Sequence, residues 1–274
     1  VENTALGLNA LGSASSSPND PTGNVAIGHD ALTTNINQDH NTAVGFRSLA
    51  NHGGLDPAGT GENVAVGARA LEGQTNGYQN TAVGFEAAYS NQSGHQNVAI
   101  GYQTLHDINF NGDDNTVVGA GAGFNVDTGD KNSLFGFSAG SSLTTGSKNV
   151  IIGSYNGNEN GLDIRTSDNN IVLSDGDGNV RFQADSNGKV GIGLTSDLSQ
   201  TSNSGLSGTA LSLKGTTAVL TIQNDDADPA QTALFKNTVN FHRKDGAKVG
   251  GISIHTSAVS YSTSSDYRLK ENVA

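Results

Sequence analysis

A short motif recurs ten times within the first 174 residues, and its spacing limits the possible folds more than any other feature. Its core is Asn-[Thr/Val]-Ala-[Val/Ile]-Gly, as in Asn80–Gly84 and Asn97–Gly101, and the last, degenerate copy is Asn170–Ser174. Successive motif asparagines are 21, 17, 22, 17, 17, 18, 17, 17 and 21 residues apart. Such regular self-similarity is the signature of a repeat architecture, and this period is too short for a helix pair or a propeller blade.

The commonest period has the length of one coil of a narrow β-solenoid, built from two short strands and two turns. Each core alternates β-branched residues with Ala, as strands do, and ends on Gly, which suits a turn. The Asn that opens every copy predicts a ladder of side-chain hydrogen bonds along the stack. We therefore predict an all-β chain whose residues 1–174 form a parallel β-solenoid, or β-roll, of about ten short coils.

The two faces of each core strand carry no charge. Thr81 and Val83 share one face, and Ala82 and Gly84 share the other. A strand that is uncharged on both faces requires burial on both faces. We expect one face to fill the thin interior of the coil, and the small Ala and Gly face to allow close approach by a neighbouring subunit. This predicts an oligomer without fixing its number.

Composition fits a thin core and excludes several classes of partner. The chain has 37 Gly, no Trp, and only 34% hydrophobic residues, too few for a wide globular core. Its net charge of −12 argues against binding nucleic acid or an anionic membrane surface. No run of 18 apolar residues is present, so we expect no membrane insertion. The absence of Cys excludes disulfides and thiolate metal sites.

The repeat over residues 1–174 resembles the head repeats of trimeric autotransporter adhesins. It is also similar to the related arrays of phage tail fibres and of bacterial surface proteins with tail-fibre domains. In the trimeric autotransporter adhesins these repeats form a left-handed parallel β-roll trimer, so the resemblance implies a homotrimer.

The end of the chain carries a second resemblance. Residues 264–274 read Ser-Ser-Asp-Tyr-Arg-Leu-Lys-Glu-Asn-Val-Ala. This is similar to the opening of the intramolecular chaperone domain of phage tail fibres, the peptidase S74 family, which trimerises a fibre and then cuts itself off. The resemblance implies cleavage between Ser265 and Asp266, with Ser265 and Lys270 as a Ser/Lys pair. A Lys of lowered pKa can accept the proton of a Ser nucleophile.

Residues 265–274 would then be the N-terminal remnant of that chaperone, and we expect the site to be incomplete and the chain not to be an enzyme. Residues 175–208 are interpreted as a hairpin connector and linker, because Ser186–Lys189 is a turn signal between two strand-like runs. Residues 209–264 are interpreted as a C-terminal β region, whose strands we expect to interleave in the trimer.

The longer spacings mark insertions at residues 13–23, 51–62 and 154–169. Insertions in solenoids lie on loops, which often bind ligands, although extra surface length is also tolerated at little cost. The candidate receptor-contacting residues in the first two insertions are Asn19, Asp20, His52 and Asp56.

We expect no metal and no cofactor. The seven His show no spacing typical of a metal site, and we interpret them as solvated side chains. Asp175–Asn179 has the alternating oxygen ligands of a calcium loop, but Val180 and Ser186 stand where such a loop needs Gly and Glu. A tight turn is the favoured interpretation of this segment.

These features predict a structural and receptor-binding segment of a trimeric phage tail fibre, located in the virion tail or at a cell surface. Its partners would be two further copies of the chain and a host cell-surface glycan or protein. Two alternatives stay open at this point: a bacterial trimeric surface adhesin or extracellular filament subunit, and a tailspike-type surface-polysaccharide depolymerase.

Overall fold

The computed structural model contains 17 described β-strands in two compact units, Val1–Leu211 and Ser212–Ala274. The described residues are 2–12, 21–35, 37–53, 61–107, 110–188 and 190–192, together with the strands at 237–242, 248–255 and 258–263. They are all β or turn and contain no helix, so none of them forms a helix that could cross a membrane.

Ten parallel strands follow one another in chain order in the main sheet of the first unit. They are β1 (Thr4–Leu6), β2 (Val25–Ile27), β3 (Thr42–Val44), β4 (Val64–Val66), β5 (Thr81–Val83), β6 (Val98–Ile100), β7 (Thr116–Val118), β8 (Ser133–Phe135), β9 (Val150–Ile152) and β12 (Ile171–Ser174). Equivalent residues of successive motifs are paired, as Ala65 with Ala82 and Ala82 with Ala99. The chain therefore makes about nine turns of a parallel β-solenoid, which confirms the predicted fold class.

Among the described residues, each coil that opens with one of the strands β1 to β8 contains a single three-residue strand, so the expectation of two strands per coil is wrong. After Gly28, for example, Asp30 and Leu32 have φ values of 56° and 50°, in the left-handed region. Such a conformation costs roughly 1–2 kcal/mol per residue. The cost is offset by hydrogen bonds between coils, since Asp30 N donates to Leu8 O and Leu32 N donates to Ser48 O, both at 2.9 Å.

The interior of the coils is filled by complementary large and small side chains. The middle strand residue is a fully buried Ala in β2 to β6 and becomes Val117, Leu134 and Ile151 in β7 to β9. Six residues further along, the early coils mostly carry Leu, and the later coils carry Gly123, Gly140 and Gly157. A Cβ on Gly140 would lie only 2.9 Å from Leu134 Cδ1, so the larger strand residue occupies the space that Leu fills elsewhere.

The assignment of the two strand faces is the reverse of the sequence expectation. Ala82 is fully buried inside the coil, whereas Thr81 and Val83 point outward and stay partly exposed. In the preceding coil, for example, Ala65 is the inward strand residue and the interior also holds the fully buried Leu71, which leaves little room for Thr or Val on the inward strand face. The face available to a neighbouring subunit is therefore the Thr and Val face.

The asparagine ladder is confirmed. Asn97 N donates to Asn80 Oδ1 at 2.9 Å, and Asn115 N donates in turn to Asn97 Oδ1 at 2.9 Å. The Asn97 side-chain amide also donates to Gly112 O, near the end of its own coil, at 2.8 Å. The same backbone-to-side-chain bond recurs at every step from Asn3 to Asn170, so one buried side chain locks each coil to the next.

Beyond the parallel strands, β13 (Val180–Ala184) pairs antiparallel with β12, and β14 (Val190–Ile192) pairs antiparallel with β13. Their connection turns at Asp185–Gly188, with a φ of 75° at Gly188, which confirms the hairpin signal in the sequence. A separate small hairpin, β10 (Asn158–Glu159) and β11 (Leu162–Asp163), lies within the third insertion.

The second unit contains an antiparallel three-stranded sheet. Its strands are β15 (Asn237–His242), β16 (Lys248–His255) and β17 (Ala258–Thr263), in the order β15-β16-β17. They lie within the expected C-terminal β region, and their interleaving in a trimer stays a prediction. The last part of the expected connector and linker, from residue 193 to residue 208, lies outside the described residues.

Candidate interaction surface

One side of the solenoid is an exposed apolar surface. We call it the outer apolar face and define it as the outward residues of the parallel strands plus the residue after each motif glycine. Its most exposed large side chains are Leu6, Leu8, Phe46, Phe85, Ile100, Tyr102, Phe135, Phe137, Ile152, Ile171 and Leu173. Tyr102 and Phe137 are 55% and 69% exposed in the single chain. Contiguous exposed apolar surface of this kind marks an interaction site.

The outer apolar face is regular and already ordered in the single chain. Its strand positions hold only Thr, Ser, Val, Ile, Leu and Phe, and none is charged. Rings from successive coils stack on it, His29 on Phe46 and Phe85 on Tyr102, each with centroids 5.6 Å apart. Because hydrogen-bonded strands hold these side chains in place, a partner would meet a surface that needs little reorganisation.

A charged edge, defined by Arg47, Arg69, Glu72, Glu86 and Tyr89, lies beside this face in coils three to five. Arg69 donates to Glu72 at 2.7 Å and to Glu86 at 2.6 Å, and Arg47 contacts Glu72 at 2.9 Å. The two glutamates are only 4% and 7% exposed. Both carboxylates bind the guanidinium of Arg69 within a packed edge. The catalytic carboxylates of a glycosidase instead flank an open groove, so this pair does not have the geometry of a glycosidase site.

A column of stacked rings continues from the charged edge. Tyr89 stacks on His106 with centroids 5.2 Å apart, and His106 stacks on Phe124 at 4.9 Å. His106 Nε2 also lies 3.3 Å from a carboxylate oxygen of Glu86. The ring faces contact each other along the stack, so this column joins neighbouring coils and leaves mainly ring edges for any partner.

Most of the candidate residues chosen from the sequence lie outside the described residues. These are Asn19, Asp20 and Asp56 of the insertions, and Ser265, Asp266 and Lys270 of the terminal motif. His52 is described, and it is fully buried, so the expectation of a solvated, receptor-facing side chain is wrong. It lies inside the third coil, where its Nε2 is 3.5 Å from Asn63 Nδ2.

The repeat register explains why His52 is buried. It stands eleven residues after the motif asparagine of its coil, as do Asn35, Gln74 and Asn91 in theirs. Those three amides are also buried, and each donates to the carbonyl three residues later in its own coil. Counting from the motif asparagine, rather than from the turn, would have identified this interior position.

The buried His52 predicts a specific loss of stability in acid. Burial lowers its pKa from an ordinary value near 6.5 to about 4. Between these values the unfolded chain binds a proton that the folded chain excludes, so stability falls as the pH drops from 6.5 towards 4. In His52→Gln the new residue is the one that the next coil has at the equivalent position, Gln74. We expect this variant to lose about 2.5 kcal/mol less free energy of unfolding than the parent chain when the pH falls from 7 to 4.5.

Urea unfolding at the two pH values measures this difference in the parent chain and in the variant. His40→Gln is the matched control, because His40 is exposed, and it should leave the pH dependence nearly unchanged. Equal effects of the two substitutions would contradict the assignment of the acid sensitivity to His52.

The segment Asp175–Asn179 is a closed turn, as the sequence favoured. The Asp175 carboxylate accepts the backbone N–H groups of Asp177 and Asn179 at 3.0 and 2.9 Å and also binds the Arg181 guanidinium. Chiefly through the hydrogen bond from Arg181, the pKa of Asp175 falls to about 2. Within the part of the chain that the structure describes, no three His, Asp or Glu side chains are grouped to hold a metal ion.

No protein-family model matches the chain, and no match is found among curated proteins or solved structures.

Proposed function

We propose that the chain is a structural and receptor-binding segment of a homotrimeric phage tail fibre that attaches the virion to a host cell surface. The observation that carries this proposal is the outer apolar face, which runs along the stacked coils without a charged strand residue. The terminal motif that resembles a fibre-trimerising chaperone supports the phage origin and the number three.

The outer apolar face is better suited to another copy of the chain than to water. Fully burying a side chain such as Phe or Ile stabilises a complex by roughly 1.5–3 kcal/mol. Parallel sheets are ordinarily covered on both faces, and here the inner face alone is covered by the chain itself. Because the same side-chain types recur in register in every coil, a second copy offers a surface of matching spacing.

The native mass tests this proposal. Light scattering on a sizing column should give about three times the chain mass of 27.9 kDa. Phe85→Lys combined with Ile100→Lys should shift the mass towards one chain. Both side chains are exposed in the single chain, so the substitutions cost its fold little, whereas an unpaired ammonium buried in an interface is strongly unfavourable.

Thr128→Lys is the matched control, because Thr128 is exposed on a turn away from the outer apolar face and should keep the trimer mass. A parent chain that runs as a monomer would overturn the fibre proposal. A double variant that remains trimeric would show that the outer apolar face is not the subunit interface.

A further inference from the structure

The outer apolar face is flanked by two borders of polar side chains. The charged edge lies on the side where each strand ends. On the other side lies the residue before each motif asparagine, and we call this row the leading border. In coils four to seven it is formed by Glu62, Gln79, Gln96 and Asp114, all exposed, with φ between 55° and 58°. A facing copy of the chain would meet both borders as well as the face.

The outer apolar face by itself does not fix how two copies align. Its strand residues are of the same types in every coil, so displacing one copy by a coil would replace each contact with a similar one. Charged residues at the borders differ from coil to coil, and they can therefore distinguish one alignment from the next.

Charge along the charged-edge side changes sign twice. The sixth residue after the motif asparagine is Asp30 in coil two, Arg47 in coil three, Arg69 in coil four and Glu86 in coil five. Since neighbouring coils are about 4.8 Å apart, two arginines lie together with a carboxylate on either side of them. A facing acidic side chain is attracted at the arginines and repelled beyond them in both directions.

Glu62 is the acidic residue of the leading border at the level of these arginines. It is the last residue of coil three, to which Arg47 belongs, and it directly precedes coil four, to which Arg69 belongs. The exposed Gln79 side chain donates to its carboxylate at 2.8 Å. Because that partner is a neutral amide, the contact leaves the negative charge of Glu62 uncompensated.

Arg47 is the arginine that has donors available for a partner. Arg69 already uses Nε on Glu72, Nη1 on Glu86 and Nη2 on the Tyr89 hydroxyl. Arg47 contacts Glu72 through Nη2, and its side chain is 42% exposed. A guanidinium carries five N–H donors, so Arg47 can bind a second carboxylate while it keeps the first.

We propose that Glu62 pairs with Arg47 of the partner subunit, and that this ion pair sets the alignment of copies that run parallel and in register. The inference rests on the proposed homotrimer and identifies a contact within its interface. In this alignment Glu62 stands opposite the two arginines. Displacing one copy by one or two coils would bring Glu62 opposite Glu86 in one direction and Asp30 in the other, where like charges repel.

Cross-linking between copies tests the alignment, and the chain has no Cys to interfere. Ser138→Cys with Lys148→Cys places thiols in coil eight where coil three has Arg47 and Glu62, so the ion pair itself stays intact. Treated with a short bismaleimide, this reporter variant should give covalent trimers on a denaturing gel. Ser138→Cys with Gln96→Cys is the matched control, because Gln96 lies on the leading border three coils away, and it should give no trimers.

Charge reversal in the reporter variant tests the ion pair. Glu62→Arg places cationic groups opposite each other at all three interfaces and should reduce the yield of covalent trimers roughly tenfold. Adding Arg47→Gln should restore part of the yield, because it removes the repulsion. Asp114→Arg makes the same charge change on the leading border, opposite the uncharged Gln103 and Gly121, and should leave the yield unchanged.

The native mass of the same samples separates this inference from the proposed function. A trimer whose reporter thiols do not link, or equal effects of Glu62→Arg and Asp114→Arg, would overturn the ion pair and leave the fibre intact. A parent chain that runs as a monomer would remove the fibre and the ion pair together.

Discussion

Gly119→Ala is expected to destabilise the solenoid by about 3 kcal/mol or more, enough to unfold much of it. Gly119 has a φ of 144°, which L side chains rarely adopt, and a Cβ built on it would lie 2.1 Å from Gly136 O of the next coil. The obstacle is backbone and belongs to the coil stacking itself, so no side chain can move aside. The equivalent glycine of every coil from Gly7 to Gly153 has the same crowding.

Thermal unfolding followed by circular dichroism measures the effect. Gly176→Ala is the matched control, because a Cβ there has no atom within 4 Å, and it should change the midpoint little. A Gly119→Ala chain as stable as this control would show that the coils are not stacked as closely as the structure has them.

Asn115→Ala is expected to lower the free energy of unfolding by about 3 kcal/mol. Asn115 is fully buried, and its side chain accepts from Asn132 N and donates to Gly129 O, both at 2.9 Å. The substitution leaves a buried donor and a buried acceptor without partners, and each costs roughly 1–3 kcal/mol. Hydrogen exchange should also accelerate at the Asn132 amide, because the lost partner protects it.

Asn125→Ala provides the comparison within the same coil. Asn125 also bonds to the next coil, through Nδ2 to Ser141 O at 2.7 Å, but it is exposed, so water replaces the lost bond. We expect a change below about 1 kcal/mol in urea unfolding. Similar losses in the two variants would contradict the view that burial makes the ladder important.

The repeat was sufficient to predict the solenoid, because the spacing of the motifs determines which residues of successive coils are paired. A fixed spacing between asparagines brings Asn97 and Asn115 into neighbouring coils, and the ladder follows from their side-chain chemistry. The turn at Asp185–Gly188 was also predictable, since Asn-Gly favours a hairpin locally. The candidate receptor residues were harder to choose, because loop insertions reveal where length is tolerated and not which atoms face solvent.

What the sequence by itself determined was the period, the parallel stacking and the asparagine ladder, since all three depend on spacing along one chain. Only the tertiary structure decided which strand face is inside, because Ala65 and Val66 are both uncharged and the answer depends on the buried Leu71 in the same coil. It also placed His52 in the interior and brought the third insertion close to the β13–β14 hairpin. Those features depend on the volume left between segments far apart in sequence, which no local pattern records.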